Sequence, residues 1–213
     1  MLKQTKRIGS DEAGKGDFFG PLCCASFFYD PEQTDFLLSL GVNDSKSLHD
    51  SKISKIAAQL KTSCKYEVIT IFPKKYNELY DRFQNLNYLL GWAHVKAMAN
   101  LSKQVDCYDI LLDQFAKPPF MSNLLKQLKC EFIQLEERTK AEEDIAVACA
   151  SILARDAFVK GIENLSNDYM INLPKGASKQ VISTGKKFLT KYGKEKLLDV
   201  SKTHFKTYNE LFI

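Results

Sequence analysis

The sequence predicts a mixed α/β fold with a five-stranded sheet, and three observations support it. Two apolar runs, residues 7–12 and 21–28, follow each other with only a glycine-punctuated turn between them, which suits two initial strands with no helix separating them. From residue 31 onward, helical patterns alternate with short β-rich runs, which suits a sheet covered on both faces. Hydrophobic residues make up 45% of the 213 residues, enough for a sizeable core and too many for a disordered chain.

Residues 7–12 form a strand that ends at Gly14-Lys15-Gly16, and the cysteine- and aromatic-rich run 21–28 forms its buried partner. Asp30-Pro31 marks a turn, and 31–40 is a short helix stopped by Gly41. Asn43-Asp44-Ser45-Lys46 is loop chemistry, after which Asp50 or Ser51 caps a helix running to about residue 61. Residues 66–72 are β-rich, Pro73 begins a helical turn, and 86–103 carry a long helical period. Residues 108–113 form an apolar strand that terminates on an acid. Pro118 opens another helix, 131–135 is the fifth strand, and 144–160 is strongly helical. Pro174 breaks the chain before helices at 178–189 and 191–198. The expected organisation is one domain, with a core of about residues 1–165 and a helical C-terminal appendage of about residues 166–213.

Composition narrows the function. The net charge of +4 is weak evidence for a polyanionic partner. The run from Lys175 to Lys206 is more pointed, because lysines 175, 179, 186, 187, 191, 194, 196, 202 and 206 face only Glu195 and Asp199. A solvated helical surface explains that run equally well. The six cysteines form no C-x-x-C pair and mostly lie in apolar runs, so free thiols in a reducing compartment are expected, with no zinc site or disulfide framework. No secretory leader opens the chain and no apolar stretch reaches membrane-spanning length. A cytoplasmic protein with no membrane association, and a monomer, is expected.

The chemistry lies in carboxylates on separate elements. Asp11 and Glu12 sit together at the end of the first strand, where successive side chains point to opposite faces. Asp113 ends an almost wholly apolar strand, where an acid is costly unless exposed at the tip or paired. Glu142, Glu143 and Asp144 open a long helix, a position that also favours acids through the helix dipole alone. Two-metal phosphodiester hydrolysis needs such converging carboxylates. His49 and His94 read as capping or packing residues, because neither lies in the acid cluster. One of Phe18 and Phe19 is expected to pack inward while the other meets a ligand.

These residues carry a family resemblance. The stretch from Asp11 to Leu22, Asp-Glu-Ala-Gly-Lys-Gly-Asp-Phe-Phe-Gly-Pro-Leu, resembles the opening signature of the type 2 ribonucleases H, in the Gly-Lys-Gly form of ribonuclease HIII. Asn43-Asp44-Ser45-Lys46, Leu112-Asp113-Gln114-Phe115, Lys140-Ala141-Glu142, the run from Ala148 to Arg155, Leu173-Pro174-Lys175-Gly176 and Thr203-His204-Phe205-Lys206 continue it in order. The resemblance implies an RNase H-like fold and endonucleolytic cleavage of the RNA strand of an RNA/DNA hybrid, leaving 5′-phosphate ends, with Mg²⁺ or Mn²⁺ as cofactor. It implies Asp11, Glu12, Asp113 and Glu142 as catalytic and metal-binding acids, with Glu143 the second choice for the fourth position and Asp144 the third. It further implies Gly14, Lys15, Gly16, Ser45, Lys46 and Lys175 as substrate-binding residues. A catalytic domain without the family's N-terminal substrate-binding domain is expected. The alternatives are nicking at single ribonucleotides in duplex DNA, as in ribonuclease HII, and a non-catalytic hybrid-binding module.

Overall fold

The computed structural model describes residues 5–42 and 48–213. Strands β1 (Arg7–Ala13), β2 (Leu22–Tyr29), β3 (Tyr66–Ile71), β4 (Asp109–Asp113) and β5 (Gln134–Arg138) form one sheet in the order β3-β2-β1-β4-β5. The sheet is mixed, as expected, and β4 runs parallel to both β1 and β5.

The pleat decides which side chains go where. Ile8, Ile110 and Leu112 pack on one face against Val95, Met98 and Leu101 of α4 (Leu86–Val105) and Met121, Leu124 and Leu125 of α5 (Phe120–Gln127). Leu111, between Ile110 and Leu112, points to the opposite face and packs on Ala141 and Val147, the latter in α6 (Ile145–Asp168). Burial on both faces explains why β4 is a nearly continuous apolar run rather than an alternating one. Each fully buried aliphatic side chain of this kind contributes roughly 1.5–3 kcal/mol.

The chain divides into two compact units. One comprises Met1–Glu12, Cys24–Ile69 and Asn87–Asp156, and holds the core just described. It also contains α1 (Thr34–Ser39) and α2 (Asp50–Ser63), the latter fastened by ion pairs Lys61–Asp156 at 2.6 Å and Arg155–Asp50 at 2.9 Å. The other comprises Ala13–Cys23, Thr70–Leu86 and Ala157–Ile213. It contains α3 (Pro73–Phe83), α7 (Lys179–Leu197) and α8 (Lys206–Glu210). Its own core gathers Phe18, Phe19, Phe158, Ile162, Phe188 and Leu211 among others.

Several boundaries differ from expectation for identifiable reasons. His49, not Asp50 or Ser51, is the N-cap of α2, and Asp50 accepts bonds from Arg155 instead. The helix expected to open at Pro118 begins at Phe120, with Pro119 as its N-cap. The fifth strand starts at Gln134 rather than 131, because residues 131 and 132 form a turn and the strand itself is a polar Gln-Leu-Glu-Glu-Arg edge with little apolar signal. The two expected helices are present, but the break between them falls at Gly193, whose φ of 79° no helix accommodates, rather than at residue 190, so α7 is two helical segments meeting at a kink. Phe18 and Phe19 are both fully buried, which removes either from a ligand-facing role. All six cysteines are free, three of them buried.

Candidate active site

Strand alternation sorts the acids. Arg7, Gly9 and Asp11 share the β1 face turned toward α6, whereas Ile8, Ser10 and Glu12 share the face turned toward α4. Contacts on both sides bear this out. Arg7 Nη1 donates to Asp144 at 3.2 Å, and the Asp11 carboxylate is hydrogen-bonded by Ser151 of α6. Ser10 and Glu12 instead both meet His94 of α4, at 2.9 and 3.2 Å.

Gly9 makes the close approach of α6 possible. A Cβ there would stand 2.2 Å from the Ala146 carbonyl carbon and 2.3 Å from the Val147 nitrogen, inside any real contact. The backbone of the first turn of α6 therefore lies directly on β1, which brings Ser151 to Asp11.

Asp113 lies beside Asp11 by register. Ser10 pairs with Leu112, and the next step along these parallel strands places Asp11 next to Asp113 on the same face. Asp113 Oδ1 accepts the Ala141 amide at 2.8 Å, so the carboxylate is oriented by the 3₁₀ turn Ala141–Glu143. That turn sets Glu142 within hydrogen-bonding reach of Asp113, while Glu143 is exposed. Asp144 has a structural task. It accepts the Ala146 amide at the start of α6 and pairs with Arg7. The four acids named from the sequence thus meet at one end of β1 and β4, with Glu142 rather than Glu143 beside Asp113.

The electrostatics are those of crowded carboxylates. Burial, then the charge on Glu12, pushes the Asp11 pKa from 3.8 up to about 7, with Asp113 adding to the rise and the Ser151 and Glu12 amide hydrogen bonds opposing it. Burial also raises Asp113, reinforced by Glu142 and Glu12 and opposed by the Ala141 amide. Among the described residues, no three His, Cys, Asp or Glu side chains are drawn to one point as ligands of a single ion. The donor set nevertheless fits a hard divalent cation. It offers only carboxylate oxygens, and a cation would relieve the mutual repulsion that holds the Asp11 proton.

Two partners of the acids escaped the sequence reading. His94 touches Glu12 across 82 residues, and Ser151 touches Asp11 from within an apolar helix. A short-range pattern carries neither pairing. Only the helical phase of α4, once its buried face is known, turns His94 toward the sheet.

The remaining sequence candidates belong to the other unit or lie outside the described residues. Ser45 and Lys46 are outside them. Gly14 adopts φ 85°, and a Cβ there would meet the Pro21 carbonyl oxygen at 2.2 Å, so the turn requires glycine. Gly16 is exposed with open space around its Cα. The turn is fastened to the loop carrying Lys175. The Gly176 amide donates to Asp17 Oδ1 at 2.6 Å, and the Phe18 amide donates to the Gly176 carbonyl at 3.0 Å. The buried Lys202 Nζ donates to the Asp17 carbonyl at 2.7 Å, which ties the turn to the segment after α7 as well. Gly14, Lys15, Gly16 and Lys175 therefore sit on two mutually braced loops.

Comparison with known proteins finds relatives along nearly the whole chain. A family model described as Ribonuclease HII matches residues 8–208. The chain is 46% identical over 207 residues to a ribonuclease HIII of Protochlamydia amoebophila, covering 97% of this chain and 68% of that protein. It is 45% identical to a ribonuclease HIII of Chlamydia pneumoniae, covering 96% of this chain and 70% of the other. Among solved structures, Bst-RNase HIII in complex with Mn²⁺ superposes with a TM-score of 0.93 at 28% identity, over 100% of this chain and 70% of that one. Aquifex aeolicus RNase H3 superposes with a TM-score of 0.78 at 28% identity, over 94% and 72%.

Proposed function

The chain belongs to the ribonuclease HII family, and on that premise we propose that it hydrolyses the RNA strand of RNA/DNA hybrids endonucleolytically, leaving 5′-phosphate ends. The observation that carries the reading is the meeting of Asp11, Glu12, Asp113 and Glu142 from two strands and the turn before α6. Those acids are assigned as ligands of Mg²⁺ or Mn²⁺, and one relative of this fold is a Mn²⁺ complex.

When bound, such ions supply a water acidified enough to attack near neutral pH and a counter-charge for the leaving oxygen. The chain's own residues prepare the place. Asp11, between Glu12 and Asp113, is the central ligand. Ser151 and the Glu12 amide hold its carboxylate in a fixed direction. The Ala141 amide does the same for Asp113. Gly14, Lys15, Gly16 and Lys175 are assigned to the nucleic acid, as are Ser45 and Lys46. The exposed Gly16 lets the turn approach the ribose 2′-hydroxyls displayed in a minor groove, and the lysines suit phosphates. Recognition of this kind reads ribose rather than base sequence. Action as a monomer in the cytoplasm completes the proposal; among the described residues no helix is long and apolar enough to cross a membrane.

The test is an assay of purified protein on a uniform RNA/DNA hybrid with Mg²⁺, with Mn²⁺ and with chelator. Cleavage of the RNA strand alone, dependent on either ion and giving 5′-phosphate ends, is expected. An intact hybrid with both ions would refute the proposal.

A further inference from the structure

The geometry points to His94 as a positioning residue for Glu12: its ring, locked by Ser10, holds one carboxylate oxygen and so sets the direction in which the other faces the cluster shared with Asp11 and Asp113. This inference rests on the metal-centre reading above.

Hydrogen-bond polarity carries the argument. Ser10 Oγ lies 2.9 Å from the Ala25 carbonyl, which can only accept, so the single hydroxyl proton of Ser10 is spent there. Ser10 Oγ must then accept from its other two neighbours, Ser26 Oγ at 3.2 Å and His94 Nδ1 at 2.9 Å. Nδ1 therefore carries a hydrogen. On the other side of the ring, Nε2 stands 3.2 Å from Glu12 Oε2. That is hydrogen-bonding distance, so the one ring bridges Ser10 and Glu12.

The ring lies in a dry, packed setting that Ser10 completes. The His94 side chain is 0% exposed and that of Glu12 13%. Phe115, two residues beyond Asp113, stacks on the imidazole at 5.4 Å and 14°. Ser10, Ser26 and His94 are all buried, so water does not compete for these bonds. The second contact, directed at a ligand-bearing carboxylate, matches the way residues behind a metal centre orient its ligands.

The test uses metal-free full-length chain titrated calorimetrically with Mn²⁺, alongside thermal melting and the Mn²⁺ concentration for half-maximal hybrid cleavage. His94→Leu removes both ring contacts and should raise the Mn²⁺ dissociation constant about tenfold or more, with half-saturation shifting in parallel. His94→Gln keeps an N–H near the Nε2 position and should recover to within about threefold of wild type. Ser10→Ala frees the ring and should fall between the two. A folded His94→Leu with wild-type Mn²⁺ affinity would overturn the assignment, as would a Gln variant no better than the Leu variant. If the Leu variant does not fold, wild-type affinity in Ser10→Ala overturns it. A wild type that binds no Mn²⁺ would overturn the metal centre and this inference together, whereas normal binding with unaffected variants overturns this inference alone.

Discussion

Asp11 is the residue on which function and stability pull in opposite directions. Its raised pKa, about 7 against 3.8, means the folded protein holds a proton there that the unfolded chain releases. The stabilisation is complete below the unfolded value and is lost as pH rises through the folded one. Metal-free protein should therefore show a melting temperature that declines between about pH 4 and 7, and Asp11→Asn should flatten that decline and melt higher than wild type at pH 8. The same variant should lose at least about a hundredfold in hybrid cleavage, because it removes the central ligand. Asp11→Asn that melts with the wild-type pH profile would contradict the buried, crowded environment. For the fourth acid, Glu142→Gln should reduce cleavage far more than Glu143→Gln, since only Glu142 reaches Asp113; steady-state rates on one hybrid decide between them, and the reverse order would move the ligand by one position. The four acids were legible in the sequence because strand tips and helix starts are local features. The family resemblance already put Glu142 ahead of Glu143, and the 3₁₀ turn adds that Glu142 is the one that reaches Asp113, whereas the role of His94 depends on a partner 82 residues away that no local pattern shows.

At the scale of elements, the site depends on how closely α6 lies on β1. Gly9→Ala should push the first turn of α6 outward, destabilise the fold by about 1–3 kcal/mol, and weaken cleavage even in protein that remains folded. Denaturant unfolding together with the rate per folded molecule checks this, and a neutral effect on both would mean the contact yields without consequence. The sequence located β1, β2, β3 and β4 well, since their apolar runs are bounded by glycine, proline or acids. It misplaced β5 because that strand's pairing with β4, from Asp109↔Gln134 to Asp113↔Arg138, is set by backbone register rather than by an apolar pattern. It split α7 at the wrong residue because lysine-rich helical periodicity continues across Gly193, where the backbone does not. Gly9 itself gave no signal, as a glycine between Ile8 and Ser10 in a strand reads only as a weak spot until the helix against it is known.

For the whole molecule, the relevant quantity is where its net charge of +4 is spent. Phosphate contacts made by Lys15 and Lys175 should make hybrid affinity fall with salt, and each of Lys15→Ala and Lys175→Ala should weaken binding uniformly across sequences and flatten the log-affinity against log-salt slope by about one. Fluorescence titration of a catalytically dead Asp113→Asn variant with hybrids at several salt concentrations measures this, and an unchanged slope would remove the lysine concerned from the nucleic-acid surface. Fold class and reaction class were both readable from the chain, because the motifs run in order along nearly its full length. The partition into two units was not. Contact between residues 13–23, 70–86 and 157–213 depends on long-range packing of Phe18 and Phe19 with the C-terminal helices, which no local pattern announces.

Asp11, Glu12, Asp113 and Glu142 are assigned to one divalent-ion centre. Anomalous diffraction from crystals soaked in Mn²⁺ tests it most directly. Manganese bound by carboxylate oxygens of Asp11 and of at least one of the other three, at roughly 2.0–2.3 Å, is the predicted result. Manganese absent from Asp11 and held elsewhere, in crystals of protein that cleaves hybrids with Mn²⁺, would contradict it.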